Sequence, residues 1–333
     1  MQQDDRSGGK VTRRAVVAGA AAGTIALTAD PAFAQRLPAP ARAKGPLVWL
    51  DMDQKALDEA YDQAVYAFNR DAIFERGREA GATALAKIGP PERVGYGPAE
   101  IEKVDIYRTR RANAPTLIFI HGGAWRGGRS SGAADMAEMF IKAGAHFVAV
   151  DFNNVDETGG DLVKLVDQCR RAVAWVYRNA ARFGGSPGQI YLSGHSSGAH
   201  LAGCVLITEW AKEGLPLDII KGALLGSGMY DLKPVRLSSR SSYVKFTDEM
   251  EDALSAQRHL DRIHTPLILT YGTLETPEFQ RQSRDFAAAL TAAGKPVRLL
   301  VGQGYNHFET QESLANPYGF MGRTALEMLK LAA

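Results

Sequence analysis

From residue 102 to the C-terminus, short apolar runs alternate with longer amphipathic stretches, and no other feature restricts the fold of this chain as strongly. Short, mostly apolar runs between polar turns are typical of buried strands, whereas the stretches between them repeat apolar residues at helical steps. Strands that alternate with helices favour a mostly parallel central sheet covered by helices on both faces, so an α/β fold is predicted. The strands are expected at residues 116–120, 147–150, 190–192, 223–225, 267–270 and 297–301.

Other segments also carry clear periodicity. Residues 54–86 repeat apolar residues, among them Val65 and Phe68, at three- and four-residue steps, which predicts a helix. Residues 102–107 alternate apolar and polar side chains, as a half-buried strand would. A helix between the strands is predicted from one apolar stripe, made of Leu162, Leu165, Val166, Cys169, Val173 and Val176.

Charge and cysteine content limit the partners and cofactors of this chain. The formal net charge is +2 and no run of Lys or Arg forms a basic stripe, so nucleic acid is not expected as a partner. The two cysteines, Cys169 and Cys204, form no CxxC pair and no cluster with histidines at metal-binding spacing. We therefore expect no metal and no organic cofactor. Both cysteines are predicted to be buried and free, with a disulfide as the alternative.

The first 34 residues have the pattern of an export signal. Arg13 and Arg14 precede an uncharged stretch at 15–29, and residues 32–34 (AFA) form a small-x-small cleavage site. The arginine pair favours the twin-arginine route to the periplasm, and a Sec signal that happens to carry two arginines is the alternative. The uncharged stretch is too short for a stable membrane span. Residues 35–45 are predicted to be a linker, and residues 46–333 a single domain.

A candidate nucleophile lies between a predicted strand and a predicted helix. Gly194-His195-Ser196-Ser197-Gly198 follows the run at 190–192 and precedes a helical pattern at 199–210. A G-x-S-x-G sequence in this position forms a sharp, strained turn that exposes the central hydroxyl. Ser196 is therefore the predicted nucleophile, and Ser197 is the less well placed alternative.

A glycine-rich loop, HGGAW at 121–125, follows the strand run at 116–120. Glycines directly after a strand leave backbone N–H groups accessible, and such donors stabilise the oxyanion of acyl transfer. We expect the amides of Gly122, Gly123 and Ser197 to form this oxyanion hole. The alternative, a phosphate-binding loop, lacks the lysine or the GxGxxG pattern that it would need. His121 is expected to brace the loop.

A serine nucleophile needs a base, and the base needs a carboxylate to orient it. Along the chain, the usual order is serine, then the acid, then histidine. Glu275 follows the strand run at 267–270, and His307 follows the last run. Glu278 is the alternative acid, but it is more typical of a helix cap or a solvent-facing side chain. The other histidines fit the order less well: His146, His195, His200, His259 and His264.

Five segments together resemble one particular family. They are HGGAW from His121, GHSSGAHLAG from Gly194, SGMYDLKPVR from Ser227, TPEFQRQS from Thr276 and NHF from Asn306. From about residue 50 onward, the chain resembles the kynurenine formamidase (arylformamidase)-like branch of the α/β hydrolases, which is related to the hormone-sensitive-lipase type of carboxylesterase.

The resemblance implies an α/β-hydrolase fold and a triad of Ser196, Glu275 and His307. It also implies an oxyanion hole framed by Gly122, Gly123 and Ser197. It further implies that residues 229–262 are a substrate-covering insertion, and that the chain forms a homodimer, as family members often do. Two positions depart from the family: Glu275 stands where Asp is usual, and residues 151–154 read DFNN in place of the usual Asp-Tyr-Arg segment.

The expected activity is hydrolysis of small carboxylic esters through an acyl-enzyme intermediate. Hydrolysis of N-formyl aromatic amines is the first alternative, since the same triad serves both reactions. An inactive binding module on the same fold is a remote alternative. Four aromatic residues close to the motifs are expected to line a pocket for small or medium, including aromatic, esters. They are Trp125, Phe152, Tyr230 and Tyr243.

Overall fold

The fold was analysed in a computed structural model that describes residues 44–332. The predicted export signal and most of the predicted linker lie outside the described residues. The strands are β1 (Leu47–Trp49), β2 (Met52–Asp53), β3 (Glu92–Gly95), β4 (Lys103–Tyr107), β5 (Ala114–Ile120), β6 (His146–Val150), β7 (Gly185–His195), β8 (Ala223–Gly226), β9 (Leu267–Gly272) and β10 (Val297–Gly302). The helices are α1 (Gln54–Ala60), α2 (Arg70–Ile88), α3 (Ala134–Ala143), α4 (Leu162–Asn179), α5 (Ser197–Leu206), α6 (Lys233–Leu237), α7 (Asp248–Ala253), α8 (Pro277–Ala292), α9 (His307–Glu312) and α10 (Phe320–Met328).

Eight strands form one sheet in the order β10-β9-β8-β7-β5-β6-β4-β3. The six strands from β10 to β6 pair in parallel, while β4 pairs antiparallel to β6, and β3 antiparallel to β4. The remaining strands, β1 and β2, form a separate antiparallel pair. Each of the six predicted strand runs lies within an observed strand. The predicted α/β fold with a mostly parallel sheet is therefore confirmed.

Helices cover both faces of this sheet, and alternate residues of each strand face opposite layers. Ile118 and Ile120 of β5 pack into a core with helices α4, α5 and α8, whereas Leu117 and Phe119 pack on the other face with α3 and α10. Because each central strand is covered on both sides, most of its buried residues are apolar on both faces. β5 is accordingly buried along its full length.

Helix α4 shows how the apolar stripe decides burial. Its N-cap Asp161 accepts a hydrogen bond from the Val163 amide, which satisfies one free donor of the first turn. All residues of the predicted stripe are buried, including Cys169. Cys204 on α5 is also buried, and both thiols are free, as predicted. Burial raises the pKa of Cys204 to about 12 and raises that of Cys169 as well, so neither thiol is readily ionised.

The single helix predicted for residues 54–86 is wrong. The segment forms α1, a 3-10 turn at Gln63–Tyr66 and α2. Asp62 caps the 3-10 turn by accepting a hydrogen bond from the Ala64 amide, which competes with continuation of α1. As a result, the predicted stripe is broken, and Val65 and Phe68 are exposed.

Two further features bear on the predictions. The helix expected at 199–210 ends at Leu206, and a 3-10 turn follows at Trp210–Glu213. Within residues 44–332, no helix is both long enough and apolar enough to cross a membrane. The parallel strands β5, β7, β9 and β10 all end at the same edge of the sheet, where ligands usually bind in such folds. The motif residues follow these strand ends directly.

Candidate active site

Ser196 lies in the sharp turn between β7 and α5. Its φ of 58° and ψ of −127° are unusual for a residue with a side chain, which is the strain expected of this turn. Gly194 and Gly198 approach each other so closely that a Cβ on Gly194 would lie 2.5 Å from the Gly198 carbonyl oxygen. The turn therefore requires glycine on both sides of the serine pair, for the reason that the sequence suggested. The Ser196 amide donates to the Gly226 carbonyl, which ties the turn to β8.

His307 and Glu275 are joined by a hydrogen bond of 2.9 Å between Nδ1 and Oε2. Both side chains are buried, so this contact is shielded from water. A carboxylate on Nδ1 fixes the imidazole tautomer and leaves Nε2 free to accept a proton. Glu275 is one methylene longer than the usual Asp, and it still reaches the imidazole because its loop follows β9 directly.

The other oxygen of Glu275, Oε1, accepts three further hydrogen bonds. They come from the Ser227 hydroxyl at 2.6 Å, the Gly272 amide at 2.6 Å and the Thr310 hydroxyl at 3.3 Å. These donors hold the carboxylate in one orientation and stabilise its charge. The sequence did not single out Ser227 or Thr310 for this contact, although Ser227 opens one of the family-like segments.

The imidazole of His307 is also held by its own helix and by neighbouring rings. Asn306 caps α9 and forms a reciprocal capping box with Glu309, which fixes the position where His307 begins the helix. The His307 ring packs against His195, with centroids 4.5 Å apart, and against the edge of Phe279 at 5.0 Å. Burial lowers the pKa of His195 well below its ordinary value, and electrostatic interaction with the neighbouring His307 side chain lowers it further.

A cavity of about 400 Å³ lies at this edge of the sheet. Ser196, His307, Gly122 and Gly123 line it, so the structure brings the nucleophile, the histidine and the glycine loop to one space. Glu275 lies behind the histidine. Across residues 44–332, no group of three or more His, Cys, Asp or Glu side chains is arranged to hold a metal ion.

Ser197 and the glycine loop contact each other directly. The Ser197 hydroxyl is buried and accepts a hydrogen bond of 3.2 Å from the Trp125 amide. It does not line the cavity, which disfavours the alternative of Ser197 as nucleophile. Gly123 has φ of +112°, and a Cβ on it would lie 2.5 Å from the Gly127 carbonyl oxygen. This position therefore requires glycine.

The loop is held against the nucleophile turn. A Cβ on Gly122 would lie 2.8 Å from the His195 carbonyl oxygen and 3.1 Å from Cβ of Ser196. His121 braces the loop as expected: Nδ1 lies 2.9 Å from the Gly122 carbonyl oxygen, and the ring stacks on Phe152 at 4.2 Å. The backbone of Gly122 and Gly123 is thus placed beside Ser196.

The aromatic residues expected to line the pocket do not do so. Trp125, Phe152 and Tyr230 are each at most 2% exposed and lie behind the cavity wall. The Trp125 indole donates to His200, Phe152 stacks on His121, and Tyr230 stacks on Phe286. These large rings fill the core next to the strand ends. Full burial removes more of a ring's apolar surface from water than a position in the cavity wall would. Tyr243 also lies outside the cavity and packs under Arg126.

The cavity wall instead contains a segment that the sequence did not suggest. Residues from the end of α1, the 3-10 turn and α2 line it, including Tyr61, Gln63 and Phe74. From the predicted covering insertion at 229–262, one residue, Arg240, is part of the wall. The segment from Tyr61 to Phe74 therefore contributes more residues to the described cavity wall than the insertion at 229–262 does.

Glu278 is buried, so the expectation that it faces solvent is wrong. Its carboxylate accepts a hydrogen bond of 3.0 Å from the Tyr61 hydroxyl and pairs with Arg281 at 2.7 Å. Charges are buried in proteins when a partner of opposite charge compensates them. Glu278 thus anchors Tyr61, and no hydrogen bond joins it to His307 within the described residues.

Similarity to known proteins identifies the family of this chain. The BD-FAE family model matches residues 104–231. A kynurenine formamidase from Danio rerio is 32% identical over 243 residues, which cover 71% of this chain and 80% of that protein. The chain belongs to the kynurenine formamidase-like branch of the α/β hydrolases. This member of the branch is therefore a hydrolase.

Solved structures show the same fold. A putative thioesterase from Silicibacter sp. TM1040 superimposes with a TM-score of 0.70 at 21% identity, covering 80% of this chain and 97% of its own. The esterase Est2 from Thermogutta terrifontis superimposes with a TM-score of 0.58 at 20% identity, covering 73% and 91%. At these identities, the likeness shows that this kynurenine formamidase-like chain shares the α/β-hydrolase fold, and no more.

Proposed function

We propose that the protein is a serine hydrolase that cleaves carboxylic esters through an acyl-enzyme intermediate. Ser196 is the nucleophile, His307 the base, and Glu275 the carboxylate that orients the base. The observation that supports this most is the buried hydrogen bond between His307 and Glu275, beside a cavity that Ser196 also lines.

In the first half of the reaction, Nε2 of His307 takes the proton from the Ser196 hydroxyl as its oxygen attacks the ester carbonyl. Glu275 keeps the proton on Nδ1 and stabilises the charged imidazolium. The amides of Gly122, Gly123 and Ser197 donate to the oxyanion, where losing one such donor typically costs about 3 kcal/mol of transition-state stabilisation. His307 then returns the proton to the leaving alcohol, and water hydrolyses the acyl-enzyme by the reverse path.

The test compares Ser196→Ala with Ser197→Ala. Turnover of short-chain p-nitrophenyl esters and labelling by a fluorophosphonate probe should both be lost in Ser196→Ala. Ser197→Ala keeps the backbone amide and should remain active and labelled, because its hydroxyl faces the Trp125 amide. Equal turnover in wild type and Ser196→Ala would reject the proposal, and a folded wild type that the probe does not label would favour the inactive binding module.

Formamide hydrolysis is the second candidate, because the Danio rerio protein, 32% identical to this chain, is a kynurenine formamidase. The same residues would serve, since only the leaving group differs: His307 would protonate an aromatic amine instead of an alcohol. Aryl formamides and aryl acetates with the same ring, assayed side by side, separate the two activities. A kcat/KM for formamides above that for acetates would assign the formamidase activity.

We also propose that residues 1–34 direct export to the periplasm by the twin-arginine route, on the basis of Arg13, Arg14 and the AFA site at 32–34. Expression in a bacterial host should give periplasmic protein whose N-terminus is Gln35. Replacing both arginines by lysine should retain the protein in the cytoplasm. Export of that double variant would instead point to a Sec signal.

A further inference from the structure

A second cavity borders the catalytic cavity. It has a volume of about 500 Å³ and lies between α2, the start of α3 and α9. Sites for small molecules usually have volumes of about 300–1,000 Å³, so this space is large enough for part of a substrate. Four residues line both cavities: Phe74, Gly132, Phe308 and Gln311. The two spaces therefore meet along a shared wall beside the reacting groups.

Aromatic rings connect the catalytic base to the second cavity. The His307 ring meets Phe308 with centroids 5.4 Å apart, and Phe308 meets Phe74 edge to face at 5.1 Å. In the proposed reaction, His307 passes its proton to the leaving group, so the leaving group lies beside the imidazole. Because the rings next to the imidazole line the second cavity, this cavity lies on the leaving-group side of the site.

Apolar side chains make up most of this wall. Ile73 and Leu85 of α2 and Ala134 of α3 lie beside the two rings. Phe74 is 46% exposed and Leu85 is 36% exposed, so part of their apolar surface faces water. An apolar ligand would remove this surface from water, which favours binding.

The charged side chains of the wall do not favour an anionic ligand. Arg78 and Glu312 each form an ion pair with a side chain of α2. Asp135 accepts a hydrogen bond from the Met136 amide at 2.9 Å, and burial raises the pKa of its carboxyl to about 6. At neutral pH, its negative charge repels an anion. Apolar surface is therefore the main feature that this cavity offers to an uncharged group.

Two glycines of α2 keep the space open. Gly77 and Gly81 lie one helical turn apart, and both line the cavity. Beyond its own stretch of helix, a Cβ on Gly77 would meet no atom of the described residues within 4 Å. Glycine weakens the interior of a helix relative to alanine, so helix formation does not explain its use here. What the two glycines provide is room beside the catalytic cavity.

We propose that the second cavity binds an apolar extension of the leaving group. The preferred substrates are then esters or formamides whose alcohol or amine carries an uncharged butyl or longer chain. This inference rests on the proposed function, because it takes Ser196 and His307 as the groups that cleave the bond at the head of that chain.

Matched substrates test the proposal. Phenyl acetate is compared with 4-butylphenyl acetate, and formanilide with 4-butylformanilide, since the alkyl group scarcely changes the reactivity of the bond that breaks. With uncatalysed rates subtracted, the wild type should prefer the butyl member of the pair that it hydrolyses by about tenfold or more in kcat/KM. Full burial of one methylene corresponds to about fourfold, so partial burial of four carbons is sufficient. Phenyl acetate and phenyl hexanoate extend the acyl side by the same four carbons.

Variants that fill the cavity should remove this preference. Gly77→Leu places a side chain in the open space and should lower the butyl preference by about tenfold. Ala82→Leu, at an exposed position of the same wall, should lower it to a smaller degree. Ala80→Leu is the matched control, because Ala80 is an exposed residue of the same helix that lines neither cavity. The ratio of phenyl hexanoate to phenyl acetate should not change in any variant.

Thermal unfolding shows whether each variant is folded, and Ala82→Leu decides the result if Gly77→Leu does not fold. An unchanged butyl preference in the folded filling variants overturns the proposal, and so does a loss confined to the acyl pair. Size-exclusion chromatography is run in parallel. If the filling variants change the oligomeric state and leave the butyl preference intact, this face is a contact between copies of the chain and the proposal fails.

A binding measurement keeps this result separate from the fate of the proposed function. Calorimetry with Ser196→Ala should show that 4-butylphenol binds more tightly than phenol by about tenfold or more, and that adding Gly77→Leu removes the difference. If the wild type hydrolyses no ester or formamide but 4-butylphenol binds in this way, the proposed reaction fails and the chain-binding cavity stands. If esters are hydrolysed but the two phenols bind alike, the chain-binding cavity fails.

Discussion

The Ser227 hydroxyl donates a 2.6 Å hydrogen bond to Oε1 of Glu275, the carboxylate oxygen that His307 does not contact. Ser227 stands directly after β8, with φ of 52°, so the strand next to the nucleophile strand supplies a support for the acid. A strained serine in this place is consistent with a positioning role, since strain often persists where the surrounding structure requires a particular geometry.

Ser227→Ala should lower kcat by about tenfold with little change in KM, because one of the donors that orient the carboxylate is lost. Steady-state kinetics on a p-nitrophenyl ester measures this. Ser255→Ala is the control: it is equally buried, and its hydroxyl contacts Leu232 and Glu251, away from the site. If both variants retain the same kcat, Ser227 does not position Glu275.

Glu275→Gln and Glu278→Gln should separate catalysis from stability. The first should lower kcat by about a thousandfold or more, because an amide no longer fixes the tautomer of His307 or stabilises its charge. The second should keep activity within about tenfold but lower the free energy of unfolding by about 3 kcal/mol, because Arg281 loses its most buried partner.

Kinetics and urea unfolding of both glutamine variants provide the comparison. Equal kcat losses, or a larger loss in Glu278→Gln, would mean that the acid is assigned to the wrong residue. Stability at the wild-type level in Glu278→Gln would mean that Asp285, which also pairs with Arg281, compensates fully.

Gly198→Ala and Gly77→Ala should change stability in opposite directions. A Cβ on Gly198 would overlap the carbonyl oxygens of Ile120 and His121, so this variant should be destabilised by about 3 kcal/mol or more. Gly77 lies within α2 and has open space around it, so alanine there should add about 0.5–1 kcal/mol through helix propensity.

Thermal and urea unfolding of the two variants measures this difference. Failure of Gly198→Ala to fold is consistent with the expectation, provided that Gly77→Ala folds normally. A Gly198→Ala protein as stable as wild type would show that β5 and the nucleophile turn are further apart than described.

Asp135 should make stability depend on pH. It lies in the first turn of α3, and burial raises its pKa from 3.8 to about 6, although a hydrogen bond from the Met136 amide lowers it. The folded protein therefore holds this proton more tightly than the unfolded chain does. The resulting stability is fully present below pH 3.8 and is lost as the pH rises through about 6.

Asp135→Asn mimics the protonated carboxyl and should remove that loss. Relative to wild type, its free energy of unfolding should rise between pH 4 and pH 8, by at most about 3 kcal/mol for a shift of this size. Urea unfolding at both pH values measures the change, and the low-pH comparison is the internal control. A difference that is the same at pH 4 and pH 8 would contradict this expectation.

Local sequence patterns were sufficient for the fold and for part of the site. The six strand runs and the stripe of α4 were predicted because burial follows from residue periodicity within one element. The Ser196 turn was predicted because two glycines between a strand and a helix leave few backbone conformations. Chain order and the parallel sheet then placed Glu275 and His307 at the same edge, without any knowledge of their contacts.

Other features depended on contacts between residues that are far apart in the chain. Tyr61 meets Glu278 across 217 positions and Arg240 across 179 positions, and no local pattern reports such pairs. The burial of Trp125 behind the cavity likewise depends on residues from other parts of the chain, such as His200, that pack around its ring. Sequence by itself thus determined the layered α/β architecture and the turn that holds Ser196, because both arise within single elements. The tertiary structure alone decided the cavity wall, the support of Glu275 and the burial of Arg240 in that wall, because each depends on how separate elements pack together.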